Sequence, residues 1–133
     1  MPVEKSIGAE RPQIMLVEDD PAVRRSLQML LQSRGFDVRA HASGTTLLAD
    51  QTLSRAKCLI SDYRLGDGDG LQLLRTLRKR GWLGPAILIT GFNSPEVELA
   101  AVVVGYDSII DKPLREGHLA ALVTRLIETP YNS

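Results

Sequence analysis

The chain holds one cysteine, Cys58, in 133 residues. No internal disulfide can form, and a reducing cytoplasm is the expected home. Net charge is missing too: sixteen basic residues balance sixteen acidic ones. That leaves no global basic field to gather nucleic acid or anionic lipid. No apolar run approaches the ~20 residues of a membrane span. The opening residues, 1–6, lack the charged-then-apolar pattern of a secretory signal. Repeats and low-complexity stretches are absent. A calcium loop is absent as well. The glycine-rich stretch Gly66-Asp67-Gly68-Asp69-Gly70 lacks the Asp-x-Asp-x-Asp-Gly register, and the closing Glu position counted from Asp67 holds Arg78. His41 and His118 have no partners at ligand spacing and are expected on the surface. What is present is ordinary for one globular domain with a single core: 44% hydrophobic and 24% charged residues.

Residues 1–12 mix Pro2, Gly8, Pro12 and charges without periodicity and read as a mobile leader. A folded domain is expected over 13–128, with a short tail at 129–133. Ile14–Val17 is a continuous apolar run, the signature of a strand covered on both faces. Asp20 suits an N-cap and Pro21 the first helical position. Val23, Leu27, Leu30 and Leu31 follow at helical spacing until Gly35. The alternation over 36–40 fits a strand near the sheet edge. Ser43 can cap a short helix bearing Leu47 and Leu48. The run from Cys58 to Ser61 is another buried strand. Asp69 can cap a helix with Leu71, Leu74 and Leu77, ending near Gly81. Ala86–Ile89 is a strand, 95–104 a helix stopped by Gly105, and Ser108–Ile110 the last strand. Leu119, Leu122, Val123 and Leu126 mark a final amphipathic helix. Five strand–helix repeats with short connections predict one parallel sheet with helices on both faces.

Within this frame Asp62 stands out. It closes a buried strand and faces a glycine-rich loop, where a carboxylate has little structural purpose. Three further signals also follow apolar runs: Glu18-Asp19-Asp20-Pro21, Thr90-Gly91, and Asp111-Lys112-Pro113. In open α/β sheets, ligands sit beyond the carboxyl ends of the strands. A parallel sheet would bring Glu18, Asp19, Asp62, Thr90 and Lys112 to one edge. Crowded carboxylates repel, so the cluster calls for a cation. Its donors are hard oxygens, which favours Mg²⁺ or Mn²⁺. With its charge screened, Asp62 could attack phosphorus and become an aspartyl phosphate. Lys112 could pair with one phosphoryl oxygen and Thr90 could donate to another.

These four motifs in this order make the chain resemble the response-regulator receiver domains of two-component signalling, from about Ile14 to Ile127. The resemblance implies a flavodoxin-like (βα)5 fold, a doubly wound parallel sheet of strand order 2-1-3-4-5. It implies that Asp62 is the phosphoacceptor. Asp19 and Asp62 would contact Mg²⁺ together with the backbone carbonyl of Arg64, and Glu18 would act in the acidic pair through water. Asp20 would be only the helix cap. Thr90 would be the switch hydroxyl, Lys112 the family's lysine, and the Lys112–Pro113 bond cis. A histidine kinase or histidine phosphotransfer protein would supply the phosphoryl group. The chain would catalyse only its own phosphorylation and dephosphorylation, so it is not expected to be an enzyme with a separate substrate.

Several positions depart from the family pattern. Ile109 stands where Tyr or Phe is usual, three residues before the lysine, and cannot make the aromatic swing that reports movement of Thr90. Gly66 replaces a common Pro, so the loop after Asp62 is expected to be unusually mobile. Arg64 and Phe92, two residues past Asp62 and Thr90, occupy positions that tune water access to the phosphoryl group. Tyr106 stands where Ala is common. Val102 and Val103 suggest an apolar contact surface, and two copies could pair through the face of the fourth helix, last strand and fifth helix. Arg75, Arg78, Lys79 and Arg80 read as a solvated helix face. No room is left within the chain for a DNA-binding or enzymatic output domain. The balanced charge and the lack of a long apolar run are why neither nucleic-acid nor membrane contact is expected. Both a single-domain regulator and a piece of a longer one remain open. One rival reading is a receiver-like module that binds its partner without phosphorylation, motivated by Ile109 and the altered loop. Another is an aspartyl-nucleophile phosphatase. It is disfavoured because such enzymes place a second acid where this chain has Arg64.

Overall fold

The computed structural model describes residues 11–115 and 117–128. Most of the expected leader and all of the expected tail therefore lie outside the described residues. Strand β1 (Gln13–Val17) is buried at every position, as a central strand must be. Helix α1 (Pro21–Ser33) begins where the Asp20 carboxylate accepts from the N–H groups of Ala22 and Val23. Pro21 sits where a missing N–H costs nothing. Strand β2 (Asp37–His41) alternates exposed and covered residues, and short helix α2 (Gly44–Leu48) is capped by Ser43. Strand β3 (Ala56–Asp62) is buried except at Lys57. After Asp62, Arg64–Leu65 and Gly68–Asp69 pair antiparallel as a minimal hairpin. Asp69 then caps α3 (Gly70–Lys79) through the N–H of Gln72. Strand β4 (Ala86–Thr90), helix α4 (Pro95–Val104), strand β5 (Ser108–Asp111) and helix α5 (His118–Glu128) complete the order. Gly105 ends α4 at φ 120°, a conformation that side chains disfavour.

All five strands are parallel, in the order β2-β1-β3-β4-β5. This is the doubly wound order that the resemblance implied. Strand residues alternate between two cores. Ile14, Leu16, Ile60, Ile87 and Ile89 pack under α1 and α5 with Leu27, Leu31, Leu119 and Val123. Met15, Val17, Leu59 and Leu88 pack on the opposite face against Leu74 and Leu77 of α3 and Ala101 of α4. Cys58 lies fully inside the first core as a free thiol. Burial pushes that thiol up to about 12.

Three expectations change on contact with the structure. Arg78 does not belong to a solvated face. Its guanidinium donates to the carbonyls of Trp82, Gly84 and Gly105 at 3.0, 2.9 and 3.1 Å and lies 5.4 Å from the Trp82 ring centroid. It thus ties the end of α3 to the end of α4, while Arg75, Lys79 and Arg80 are exposed. Nor is His41 a free surface residue. Its Nε2 lies 2.8 Å from a carboxylate oxygen of Asp50, a side chain only 2% exposed. The glycine-rich loop is anchored, because Asp67 accepts from the N–H groups of Gly44 and Thr45 and from the Thr45 hydroxyl. Trp82 packs at the opposite edge from the strand carboxyl ends, with its indole N–H donating to the Ala56 carbonyl at 3.1 Å.

Candidate functional site

Register decides what meets at the carboxyl edge. Val17 pairs with Ser61, so Glu18 continues beside Asp62. Asp62 pairs with Ile89, and Thr90 with Asp111. The four strand ends thereby converge, and each sequence signal lands on one of them. Glu18, Asp19 and Asp62 each offer a carboxylate oxygen, and these oxygens all lie within 4.8 Å of one another. Glu18 is 2% exposed and Asp62 is 7% exposed, while Asp19 faces solvent.

Lys112 reaches in from the end of β5. Its Nζ donates to Asp62 Oδ2 at 3.1 Å and lies 3.7 Å from Glu18 Oε1. The Lys112–Pro113 bond is cis, as the resemblance implied, and the Lys112 N–H bonds to the Thr90 carbonyl at 2.9 Å. Thr90 is fully buried, and its hydroxyl oxygen accepts from the Phe92 N–H at 2.8 Å. Arg64 lies on the hairpin just past Asp62, with its guanidinium carbon 4.1 Å from the Phe92 ring centroid.

The electrostatics follow from crowding. Burial, and next to it the charge of Asp62, push the Glu18 carboxyl up to about 7, against the opposing pull of the Asp20 N–H and of Lys112. Burial works against the ammonium of Lys112, but Asp62 and Glu18 outweigh it and raise Lys112 above its ordinary value. Three close carboxylates and one ammonium leave an excess of negative charge in a partly desolvated space. The donor set is all hard oxygen and suits a small divalent cation such as Mg²⁺ or Mn²⁺.

A second ring of residues, not singled out for this purpose in the sequence, supports Asp62 from behind. The Ser61 hydroxyl donates to the Asp62 carbonyl at 2.9 Å, and the Tyr106 hydroxyl donates to the Gly70 carbonyl at 2.7 Å. The Gly70 N–H in turn bonds to the Tyr63 carbonyl at 2.8 Å. The only sequence hint was Tyr106 itself, a large residue where a small one is usual. Asp20 is a helix cap and points its carboxylate at α1, as expected. Beside the site lies an apolar cleft of about 610 Å³ whose lining includes Val23, Leu27, Pro113 and Leu114 together with Glu18 and Lys112.

A doubly wound parallel sheet with an acidic cluster and an ammonium at its carboxyl edge is the architecture of CheY-like proteins. The structure superposes on a receiver domain from Methanospirillum hungatei with TM-score 0.81 and 25% identity, covering 89% of this chain and 94% of that one. It superposes on the chemotaxis protein CheY4 of Vibrio cholerae with TM-score 0.82 and 24% identity, covering 87% and 98%. The model of the response regulator receiver domain matches residues 14–124, and the chain belongs to that family. Accepting a phosphoryl group is the standard function of the domain. Among full-length relatives, the C4-dicarboxylate transport transcriptional regulatory protein DctR of Rhodobacter capsulatus is 32% identical over 116 residues. The transcriptional regulatory protein FixJ of Azorhizobium caulinodans is 33% identical over 111 residues. The matches cover 86% and 83% of this chain but only 59% and 52% of those regulators. Among the described residues, no helix is long and apolar enough to cross a membrane.

Proposed function

We propose that residues 13–128 form one phosphoacceptor receiver of a cytoplasmic two-component phosphorelay, with Asp62 as the acceptor. The observation that carries this reading is the Lys112 ammonium held between Asp62 and Glu18, with Asp19 in reach, at the carboxyl edge of the sheet. A carboxylate oxygen of Asp62 attacks the phosphorus of a phosphohistidine on a histidine kinase or histidine phosphotransfer protein. The P–N bond breaks, and the imidazole leaves and takes up a proton from water. Lys112 pairs with one phosphoryl oxygen, and the Thr90 hydroxyl donates to another. Asp19, Asp62, the Arg64 carbonyl and Glu18 are the residues that would hold Mg²⁺ or Mn²⁺, and such a cation would supply the positive charge that lets an anionic group approach a carboxylate. The apolar cleft beside α1 suits docking of the phosphodonor, with Glu18 and Lys112 already in its lining.

The chain takes up and sheds its own phosphoryl group and turns over no separate substrate. Its output is altered protein binding. Leu99, Val102 and Val103 of α4 are 67%, 66% and 77% exposed and form one apolar stripe for that contact, including pairing with a second copy. With Mg²⁺ and acetyl phosphate, the intact mass should gain one phosphate, and Asp62→Asn should abolish the gain. A chain that stays unmodified with acetyl phosphate and with every cognate kinase would overturn the reading.

A further inference from the structure

Phosphorylation needs a reporter in this chain. Ile109 occupies the place where the family's aromatic swings, and it packs half-buried against the second core. Phe92 stands in a different position. It is 60% exposed in the loop after β4 and is held by two ties. Its N–H donates to the Thr90 hydroxyl oxygen at 2.8 Å. Its ring lies under the Arg64 guanidinium, whose carbon is 4.1 Å from the ring centroid. One tie ends on Arg64, two places past Asp62, and the other on the hydroxyl of Thr90, the last residue of β4. Each tie thus depends on a group with a stronger alternative partner once Asp62 carries a phosphoryl group. The Thr90 hydroxyl would donate its own O–H to the phosphoryl group and carry away the oxygen that now accepts from Phe92, because a charge-assisted bond to a phosphoryl oxygen exceeds a neutral amide–hydroxyl bond. Such a bond also exceeds a cation–π contact left open to water, and a guanidinium prefers a dianion to a ring face.

We infer that Phe92 is the mobile reporter of this receiver, released when the phosphoryl group draws Thr90 and Arg64 away from it. This rests on Asp62 being the phosphoacceptor. The device differs from an aromatic buried in the last strand. The ring that moves is already at the surface, so its release changes the face shown to a partner without opening the core.

The test uses the ¹⁵N-labelled full chain with Mg²⁺ and beryllofluoride as the phosphoryl analogue. Bound ¹⁹F signals report loading independently. In the free protein, ring current should displace the Arg64 Nε–Hε cross-peak, and Phe92→Leu should remove that displacement. On loading, the cross-peak should move at least halfway to its Phe92→Leu position, and the Phe92 amide should shift. In Thr90→Ala, loading should no longer shift that amide. Bound ¹⁹F signals with an unmoved Arg64 cross-peak would overturn the reporter and leave the phosphoacceptor standing. Absence of any bound signal, with Asp62→Asn indistinguishable from the parent, would remove both.

Discussion

Glu18 shows how much a single residue's surroundings decide. An exposed glutamate is ionised at neutral pH, but this one lies on the buried side of the strand end beside Asp62. Burial first and Asp62 second push its carboxyl from 4.5 to about 7. Between those values the folded chain keeps a proton that the unfolded chain has lost. Stability from this group therefore falls as pH rises through that window. A divalent cation must displace that proton, so binding should strengthen by up to about tenfold per pH unit below 7 and level off above it. Calorimetry at pH 6.5 in two buffers of different ionisation enthalpy should show proton release on Mg²⁺ uptake, and Glu18→Gln should remove it. Equal heats in both buffers would contradict the assignment. The position of Glu18 was legible in the sequence because it follows an apolar run. The carboxyl's protonation was not, since it depends on the pairing register of β1 with β3.

At the scale of elements, the junctions carry the information that local patterns miss. Gly70 begins α3 against the back of Asp62. A Cβ there would come within 2.7 Å of the Asp62 carbonyl and 2.9 Å of both Leu88 Cδ1 and Ser61 Oγ. Gly70→Ala is expected to cost about 1–3 kcal/mol, as overpacking does, and to slow phosphorylation by displacing Asp62. Urea unfolding and acetyl-phosphate labelling rates would read the two effects separately. The Asp50 junction joins β2 to the turn before β3. Burial opposes ionisation of Asp50, but bonds from the Thr52 hydroxyl and N–H, His41 and Arg39 prevail and hold its carboxyl far below 3.8. A depressed value stabilises the fold above pH 3.8 and fades as pH falls below it. Acid unfolding of Asp50→Asn should begin from a lower stability at neutral pH and show a shallower loss below pH about 4. An unchanged acid limb would refute this.

Strand positions, helix limits and caps were readable because each leaves a local trace: apolar runs, a capping Asp or Ser, a terminating Gly. The order of the strands in the sheet leaves none and came only with the family resemblance. Thr90 and Lys112 were readable for the same reason, since each follows its own apolar run. Arg78 and the His41–Asp50 contact were not. Arg78 sits in a run of basic residues that looks like a solvated face, yet its partner carbonyl at Gly105 lies 27 residues away. Sequence spacing carries no mark of such side-chain-to-carbonyl bonds.

For the whole molecule, the balance of exposed apolar surface sets how it meets others. The stripe of Leu99, Val102 and Val103 lies outside both cores, so changing it should leave folding intact. Val103→Glu is expected to shift stability by no more than about 0.5 kcal/mol and to abolish self-association under phosphorylating conditions. Sedimentation with and without beryllofluoride would read this directly. Self-association that survives the substitution would place the contact elsewhere.

Trp82, the only tryptophan in the chain, has a practical consequence of its own. It is pinned to Ala56, the first residue of β3, and six residue steps along that strand, about 20 Å, separate its anchor from Asp62. Its emission is therefore a clean gauge of global unfolding and a blind one for cation uptake. A fluorimeter would record melting curves of loaded and unloaded protein on one common baseline, and the difference between their midpoints would give the strength of ligation without a separate dye.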